Sequence, residues 1–340
     1  MTRFFRWFAR QWAGKPLFST TLALLVMIVL QTLALGFDFA SFGDWWQSFC
    51  LNWINVLRNN ATVGIVALGM TFVILSGGID LAVGSTIAIC GAFFLLLIDG
   101  SGHGVLAAAG VSGWGAFAIA AALSVAFGAL LGELNGVLVA NGGIPPFIVT
   151  LGTMKVFRSV TQDFMQGRTP AFPMEFLPFA SLKTGNYMVM PIVYWLACAA
   201  LLYVVSRRMV FGTHVVAVGS NERAAKLSGI PVKRVKRIAY ALSGALAAFA
   251  AVIQVSRIGS MDFSSAGSGY EMDTIAAVIV GGTRMSGGRG TVAGTMLGVL
   301  IIGVMNNLLN LLGVPPFLRE AFKGAIVIVA VLLQKKEATS

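Results

Sequence analysis

Long apolar runs are the feature that most limits what this chain can fold into. Residues 17–37 contain no charged side chain, and residues 188–205, 291–312 and 324–333 continue the same pattern. About 20 such residues are enough to cross the hydrocarbon of a bilayer. Only 11% of all residues are charged, whereas a soluble domain carries about 25%. The sequence therefore predicts an all-α polytopic membrane protein, built as a single transmembrane domain over residues 1–340.

Dividing the chain at glycines, prolines and charged clusters predicts ten transmembrane segments. The ten ranges are 17–37, 58–77, 80–98, 115–139, 145–162, 188–206, 237–256, 270–283, 291–312 and 319–334. The first is expected to be a retained helix, because its apolar run is longer than that of a signal peptide. The eighth is too short for a normal span and should depend on protein neighbours for shielding.

Basic residues predict the orientation of these segments. With the N-terminus inside, 16 of the 24 Lys and Arg residues fall on the inside and eight on the outside, as the positive-inside rule requires. We therefore expect both termini inside, and the largest outside loops at residues 38–57, 163–187 and 257–269. This topology accounts for the net charge of +11, so the charge does not indicate nucleic-acid binding.

A polar stretch interrupts the apolar chain at residues 207–237, with eight basic residues against one acid. Within it, Asn221 or Ser220 can cap a short helix, and Pro231 prevents its continuation. A helix of about seven residues is marginal alone in water, so it needs a supporting surface. The residues leave two readings open, a loop helix resting on lipid headgroups or a docking helix for another protein.

Glycine breaks and a repeated motif suggest internal symmetry. Gly77–Gly78 and Gly281–Gly282 interrupt apolar runs, and such breaks serve either tight helix packing or the lining of a cavity. GELNGVLVANGGIPPF (132–147) and GVMNNLLNLLGVPPF (303–317) share a Gly, an Asn three residues later and a final PPF. The predicted topology runs them in opposite directions. Spans 2–5 and 7–10 are therefore predicted to form an inverted repeat, which places a transport path at its interface.

Polar and glycine residues on these segments are candidates for the path. Amides and hydroxyls can exchange hydrogen bonds with a neutral hydroxylated solute, or they can hold helices together. The candidates are Asn59, Asn60, Thr71, Gly77, Gly78, Asp80, Asn135, Phe147, Thr150, Gly281, Gly282, Asn306 and Asn310. Asp80 and Glu133 are costly to bury, and we expect both near the inside face, within reach of water. No basic or His residue is expected to pair with a proton-coupled site.

The sequence indicates no catalytic or cofactor chemistry in this chain. It has no G-x-x-x-x-G-K-[ST] motif, so in an ATP-driven transporter another chain must bind the ATP. The three cysteines form no C-x-x-C pair, and His103 and His214 fall in loops, so no disulfide framework or metal site is indicated. A membrane enzyme is disfavoured because no acid–base pair or nucleophile is evident. A secondary transporter is disfavoured because membrane-embedded ion-pair chemistry is lacking.

Four stretches occur in order, LGMTFVILSGGIDLAVGS (68–85), NGVLVANGGIPPFIVTLGTM (135–154), VVAVGSNERAAKLSGIPV (215–232) and GSGYEMDTIAAVIVGGTRMSGGRGTVAGTMLGVL (267–300). Together they resemble the membrane permeases of ribose-type sugar ABC importers, of the branched-chain amino acid/ribose-like permease family. The resemblance covers about residues 55–330. It implies a dimeric, multi-pass subunit of the bacterial inner membrane. Its partners would be an ATP-binding cassette subunit, which holds ATP and Mg²⁺, and a periplasmic solute-binding protein.

The resemblance also implies that residues 215–232 dock on the ATP-binding subunit. The residues that it assigns to this coupling are Asn221, Glu222, Ala224, Ala225, Leu227, Ser228 and Gly229. The expected solute is a small polyhydroxylated molecule, with a monosaccharide favoured over a nucleoside or a furanosyl signal molecule. Ala82 replaces the Ser that is usual in the family, and residues 38–54 are unusually aromatic. Both departures leave the identity of the solute open. The resemblance also leaves open whether the second permease copy in the dimer is identical or a paralogue.

Overall fold

The computed structural model describes residues 16–36, 40–101, 103–184, 187–325 and 328, and nearly all of the regular structure there is helical. The helices are α1 (Pro16–Leu35), α2 (Phe42–Leu75), α3 (Val83–Ile98), α4 (Val105–Ala108), α5 (Gly113–Ala140), α6 (Pro146–Met165), α7 (Pro178–Ser181), α8 (Met190–Arg208), α9 (Val210–Ser220), α10 (Glu222–Leu227), α11 (Val232–Ile258), α12 (Tyr270–Val280) and α13 (Val292–Leu311). Residues 316–325 are also helical. A 3₁₀ turn (Met174–Phe176) and a two-stranded antiparallel ribbon, β1 (Lys183–Thr184) with β2 (Tyr187–Met188), precede α8.

The chain is an all-α polytopic membrane protein. Five of the described helices, α2, α5, α8, α11 and α13, are long and apolar enough to cross a bilayer, and α1, α3 and α9 are shorter apolar helices. Each of the ten predicted segments coincides with a described helix. The last is described only to residue 325 and at 328, and the basic residues before α1 lie outside the described part. The number of spans and their orientation therefore stay predictions.

One expectation about a loop was wrong. Residues 38–57 were expected to form an outside loop, but α2 begins at Phe42, where the Ser41 side chain accepts a hydrogen bond from the Asp44 backbone. The rings of Trp45 and Phe49 stack one helical turn apart, with centroids 5.3 Å apart. These aromatic contacts stabilise a helix in a segment whose polar residues led to the prediction of a loop. In the polar stretch, a second helix, α9, precedes the expected short one.

Helix α11 organises the core, because it packs most extensively against α5 and also against α2 and α3. The α5 face of this contact carries Gly128, Gly132 and Gly136, which are one helical turn apart. A Cβ atom at Gly132 would overlap the carbonyl of Tyr240, and one at Gly244 would overlap that of Gly128. The two backbones therefore touch, as in small-residue contacts between membrane helices.

The repeated motifs adopt the same local structure. In each, a long helix ends before a glycine in the left-handed region, Gly143 (φ 67°) or Gly313 (φ 72°), and a Pro-Pro pair begins the next helix. The two breaks also match, because Gly77 (φ 81°) and Gly282 (φ 88°) are both left-handed. This agreement supports a repeat in the described residues, while its inverted arrangement in a membrane stays a prediction.

The α5–α11 contact predicts a stability loss on substitution of its glycines. Gly244→Ala should force the backbones apart and destabilise the protein by about 1–3 kcal/mol, as overpacking does. Gly152→Ala is the matched control, because a Cβ there meets nothing within 4 Å and Ala favours a helix. Thermal unfolding midpoints in detergent measure the difference. Equal midpoints for Gly244→Ala and Gly152→Ala would contradict the proposed backbone contact.

Candidate coupling surface and translocation pathway

The predicted short helix is present as α10, and its local signals act as expected. The Asn221 side chain, rather than that of Ser220, accepts a hydrogen bond from the Ala224 backbone at 2.9 Å. Gly229 has a left-handed backbone (φ 80°) after the last turn. Glu222 pairs with Lys236 of α11 at 2.7 Å, which holds α10 against α11. Residues 207–237 form one end of the helix bundle, and we call it the basic end.

The exposed face of α10 differs from the expected one. Ala225 is buried against its own chain with 4% exposure, whereas Leu227 is 85% exposed. Ala224 and Ser228 also face outward. Ala225 therefore packs inside this chain, and its predicted contact with a partner stays a prediction. Leu227 is left as a large apolar side chain without cover.

The backbone just before α10 touches the first glycine break and the loop that follows the second break. At Gly219 a Cβ atom would overlap the Leu75 carbonyl and come within 2.6 Å of the Gly288 nitrogen. The Gly288 backbone donates to the Leu75 carbonyl at 3.0 Å. A Cβ at Gly287 would lie 2.9 Å from the nitrogen of Gly77. We call these three chain segments, 75–78, 219–220 and 286–288, the glycine junction.

Residues just after the first break are also hydrogen-bonded to α6 and α11. The Tyr240 hydroxyl donates to the Ile79 carbonyl at 3.0 Å, and that of Ser243 donates to Asp80 at 3.0 Å. The second Asp80 oxygen accepts from the Ala82 backbone at 3.0 Å. Thr150 of α6 reaches the Ile79 carbonyl at 3.5 Å. Asp80 is only 2% exposed, so the expectation that water reaches it was wrong.

Glu133 has a basic partner that was not expected. Arg237 of α11 donates through Nε to the Glu133 carboxylate at 2.5 Å, so the pair links α5 to α11 at the basic end. The side chains of Arg237 and Glu133 are 41% and 29% exposed, and a pair so accessible to solvent contributes little stability, about 0–1 kcal/mol. The contact positions helices and does not form a buried charge relay.

Several path candidates hold helices together in this conformation. The hydroxyls of Thr71 and Thr295 lie 2.7 Å apart and are buried. Asn60 donates to the Val56 carbonyl of its own helix at 2.7 Å and lies against Gly303 of α13. Asn310 of α13 accepts at 2.9 Å from Arg319, on the helix of residues 316–325. Gly281 lies against the backbone of Gly294, and Gly78 against the Tyr240 hydroxyl. These residues therefore make packing contacts in this conformation, and their place along a transport path stays a prediction. Phe147, in contrast, is 55% exposed on α6.

Two repeat-related amides each have a side-chain oxygen without a hydrogen-bond partner in the described residues. Asn135 is 1% exposed, and its side-chain oxygen has no hydrogen-bond partner among the described residues. The same holds for the buried side-chain oxygen of Asn306, at the matching position of the second motif. An unpaired buried acceptor costs about 1–3 kcal/mol. Both therefore stay candidates for hydrogen bonding to a solute or to a partner met in another conformation.

Sequence reasoning missed a polar cluster between α2, α11 and α12. The Tyr270 hydroxyl lies 3.3 Å from the Thr62 hydroxyl and 3.5 Å from Oε1 of Gln254. One turn further from the basic end, Arg257 donates to Asn59 at 3.2 Å. The spacing of Asn59 and Thr62, and of Gln254 and Arg257, is a helical i, i+3 signal within each segment. Nothing in the sequence indicates that the two segments meet.

The loop that leads into this cluster is folded by its own polar groups. Hydrogen bonds from the hydroxyls of Ser265 and Ser264 lower the pKa of the Asp262 carboxyl below its ordinary value. The Arg158 side chain, from α6, donates to the Phe263 carbonyl of this loop at 3.2 Å. Among the described residues, no three His, Cys, Asp or Glu side chains are grouped as a metal site would require.

Comparison with known proteins identifies the family. The family model described as "Branched-chain amino acid transport system / permease component" matches residues 52–331. The chain belongs to this permease family. Ribose import permease protein RbsC of Bacillus subtilis (strain 168) is 42% identical over 290 residues, which cover 85% of this chain and 86% of that relative. No solved structure matches the chain.

Other relatives of the family extend over nearly the whole chain. Ribose import permease protein RbsC of Escherichia coli (strain K12) is 36% identical over 337 residues, or 98% of this chain and 97% of the relative. Autoinducer 2 import system permease protein LsrD of Yersinia enterocolitica (serotype O:8 / biotype 1B) is 35% identical over 322 residues, or 92% and 90%. The match therefore includes both breaks, the glycine junction and α10.

The contacts of the first break predict a coupling between Ser243 and Asp80. Ser243→Ala removes a donor to a buried carboxylate and should destabilise the protein by about 1–3 kcal/mol. Ser206→Ala is the matched control, because its exposed hydroxyl donates to the Tyr203 carbonyl of its own helix. A double-mutant cycle with Asp80→Ala, which removes the acceptor, followed by thermal unfolding in detergent, isolates the interaction. The assignment is contradicted if Ser206→Ala costs as much, or if Asp80→Ala leaves the effect of Ser243→Ala unchanged.

Proposed function

We propose that this chain is the permease subunit of an ATP-driven ABC importer that carries a monosaccharide into the cytoplasm. The observation that carries the proposal is the family membership, with relatives named ribose import permeases along most of the chain. The relative named an autoinducer 2 import permease favours a furanosyl signal molecule as the alternative solute. A nucleoside is a further alternative within the same family.

The proposed subunit lies in the bacterial inner membrane with ten spans and both termini in the cytoplasm. The basic residues of 207–237 support this orientation, since they gather at the end that carries α10. A second permease copy, identical or a paralogue, completes the membrane part. A periplasmic binding protein delivers the solute, and a cassette subunit binds ATP and Mg²⁺. This chain contributes neither cofactor nor catalytic group.

Coupling in this proposal begins at the uncovered Leu227. The ATP-binding subunit covers the outer face of α10, formed by Ala224, Leu227 and Ser228, with Asn221 and Gly229 fixing the helix ends. Displacement of α10 then moves Gly219, whose backbone is in contact with Leu75 and Gly288. The glycine junction passes the movement to both breaks and so to α2, α3, α12 and α13. The candidate path residues lie on α2, α5, α6 and α13 and in the two breaks.

Reconstitution tests the function itself. Proteoliposomes that contain this chain, its ATP-binding subunit and its solute-binding protein should take up a radiolabelled monosaccharide, with ribose tried first, only when ATP is supplied. The purified chain alone should hydrolyse no ATP. Uptake of the sugar by this chain alone, without ATP or partners, would contradict the proposal and identify a secondary transporter.

A variant of α10 tests the coupling in the same preparation. Leu227→Asp should reduce co-purification of the ATP-binding subunit at least tenfold, because a charge placed in an apolar contact commonly costs several kcal/mol. Lys233→Ala, exposed at the same end, is the control and should retain the subunit. If Leu227→Asp retains wild-type amounts with full hydrolysis, α10 is a surface helix and the coupling assignment is wrong.

A further inference from the structure

The polar cluster between α2, α11 and α12 contains more hydrogen-bonding capacity than this conformation uses. Tyr270 contacts Thr62 and Gln254 at 3.3 and 3.5 Å, near the limit for a hydrogen bond, whereas hydroxyl bonds are normally 2.7–2.8 Å long. The buried pair Thr71 and Thr295 reaches 2.7 Å. Helix packing therefore achieves tight hydroxyl contacts elsewhere on α2, and the Tyr270 contacts are weak by comparison.

Two guanidinium groups border this cluster, and in the described part of the chain neither has an acidic partner. Arg58 and Arg257 lie close enough to interact electrostatically, and neither forms a salt bridge among the described residues. The Nε atom of Arg58 is buried and has no hydrogen-bond partner there, while Arg257 donates to the Asn59 amide oxygen at 3.2 Å. The cluster thus combines spare donors with hydroxyl and amide acceptors, and its positive border disfavours a cation.

The cluster lies at the beginning of a short helix, α12. This helix has 11 residues and rises about 16 Å, roughly half of the hydrocarbon thickness. Its first residue is Tyr270, and the Tyr270 hydroxyl lies between Thr62 of α2 and Gln254 in the last turns of α11. Ends of discontinuous helices are where membrane transporters place their binding sites.

We propose that Thr62, Gln254, Tyr270, Asn59 and Arg257 form a solute-binding station, where the hydroxyls of a neutral sugar replace the weak contacts of Tyr270. This inference rests on the proposed function and names residues that determine which solute passes. The solute's hydroxyls accept from the guanidinium and donate to the amide oxygens, while the Tyr270 phenol and the Thr62 hydroxyl do either. After the solute leaves, the contacts of Tyr270 with Thr62 and Gln254 form again and close the space.

The complete importer in proteoliposomes tests the station with radiolabelled ribose as the probe. At saturating loaded binding protein, Tyr270→Phe and Thr62→Val should each lower the maximal uptake rate roughly three- to tenfold, the effect of one lost hydrogen bond. Stimulated ATP hydrolysis should stay within about twofold of wild type, because docking of α10 is untouched. Tyr194→Phe is the matched control, since its hydroxyl donates to the Phe179 carbonyl outside the cluster, and it should transport normally.

A second readout separates binding from structure. In a cysteine-free background, Gln254→Cys should react with a hydrophilic thiol reagent, and loaded binding protein should slow the labelling at least threefold. The station is overturned if both uptake variants transport at the wild-type rate, if hydrolysis falls in parallel with uptake, or if labelling is insensitive to solute. If the wild-type importer takes up no monosaccharide, the proposed function fails and the station fails with it, whereas wild-type uptake with unchanged variants overturns the station alone.

Discussion

Direct contact between glycine backbones is the constraint on which the rest of this structure depends. In the core, the α5–α11 crossing leaves no room for a Cβ at Gly132 or Gly244. At the basic end, there is no room for a Cβ at Gly219, because the Leu75 carbonyl and the Gly288 amide lie too close. Van der Waals contact falls away within an ångström of separation. Segments that touch in this way must therefore move together or lose the contact altogether.

This constraint explains why a short polar helix is attached to a membrane bundle. α10 is too short to be stable alone, and it is held by its Asn221 cap, by the Glu222–Lys236 pair and by the buried Ala225. The glycine junction connects it to the first break and to the loop that follows the second break, so a force applied at Leu227 has a short physical route to the membrane helices. In the importer that we propose, this route links ATP hydrolysis outside the bilayer to rearrangement within it.

Sequence patterns that act over a few residues correctly predicted the positions of helices and of their ends. The apolar runs located the helices, and the cap, Gly229 and Pro231 located α10, because each acts within a few residues of itself. Features that depend on distant partners were not predictable. The inward face of Ala225, the pair of Glu133 with Arg237 and the meeting of Thr62 with Tyr270, 208 residues apart, are decided by which helices become neighbours. The start of α2 was missed because a row of aromatic contacts stabilises residues that resemble a loop.

Hydrogen–deuterium exchange on the complete importer tests the central claim most directly, since it reports local opening of backbone hydrogen bonds. The reporter is the Gly288 amide, which bonds the Leu75 carbonyl within the glycine junction. We expect the ATP-binding subunit with a non-hydrolysable nucleotide to change exchange in 219–229, 75–82 and 284–290 together. A change confined to 219–229, with both breaks exchanging as in the isolated permease, would contradict the account.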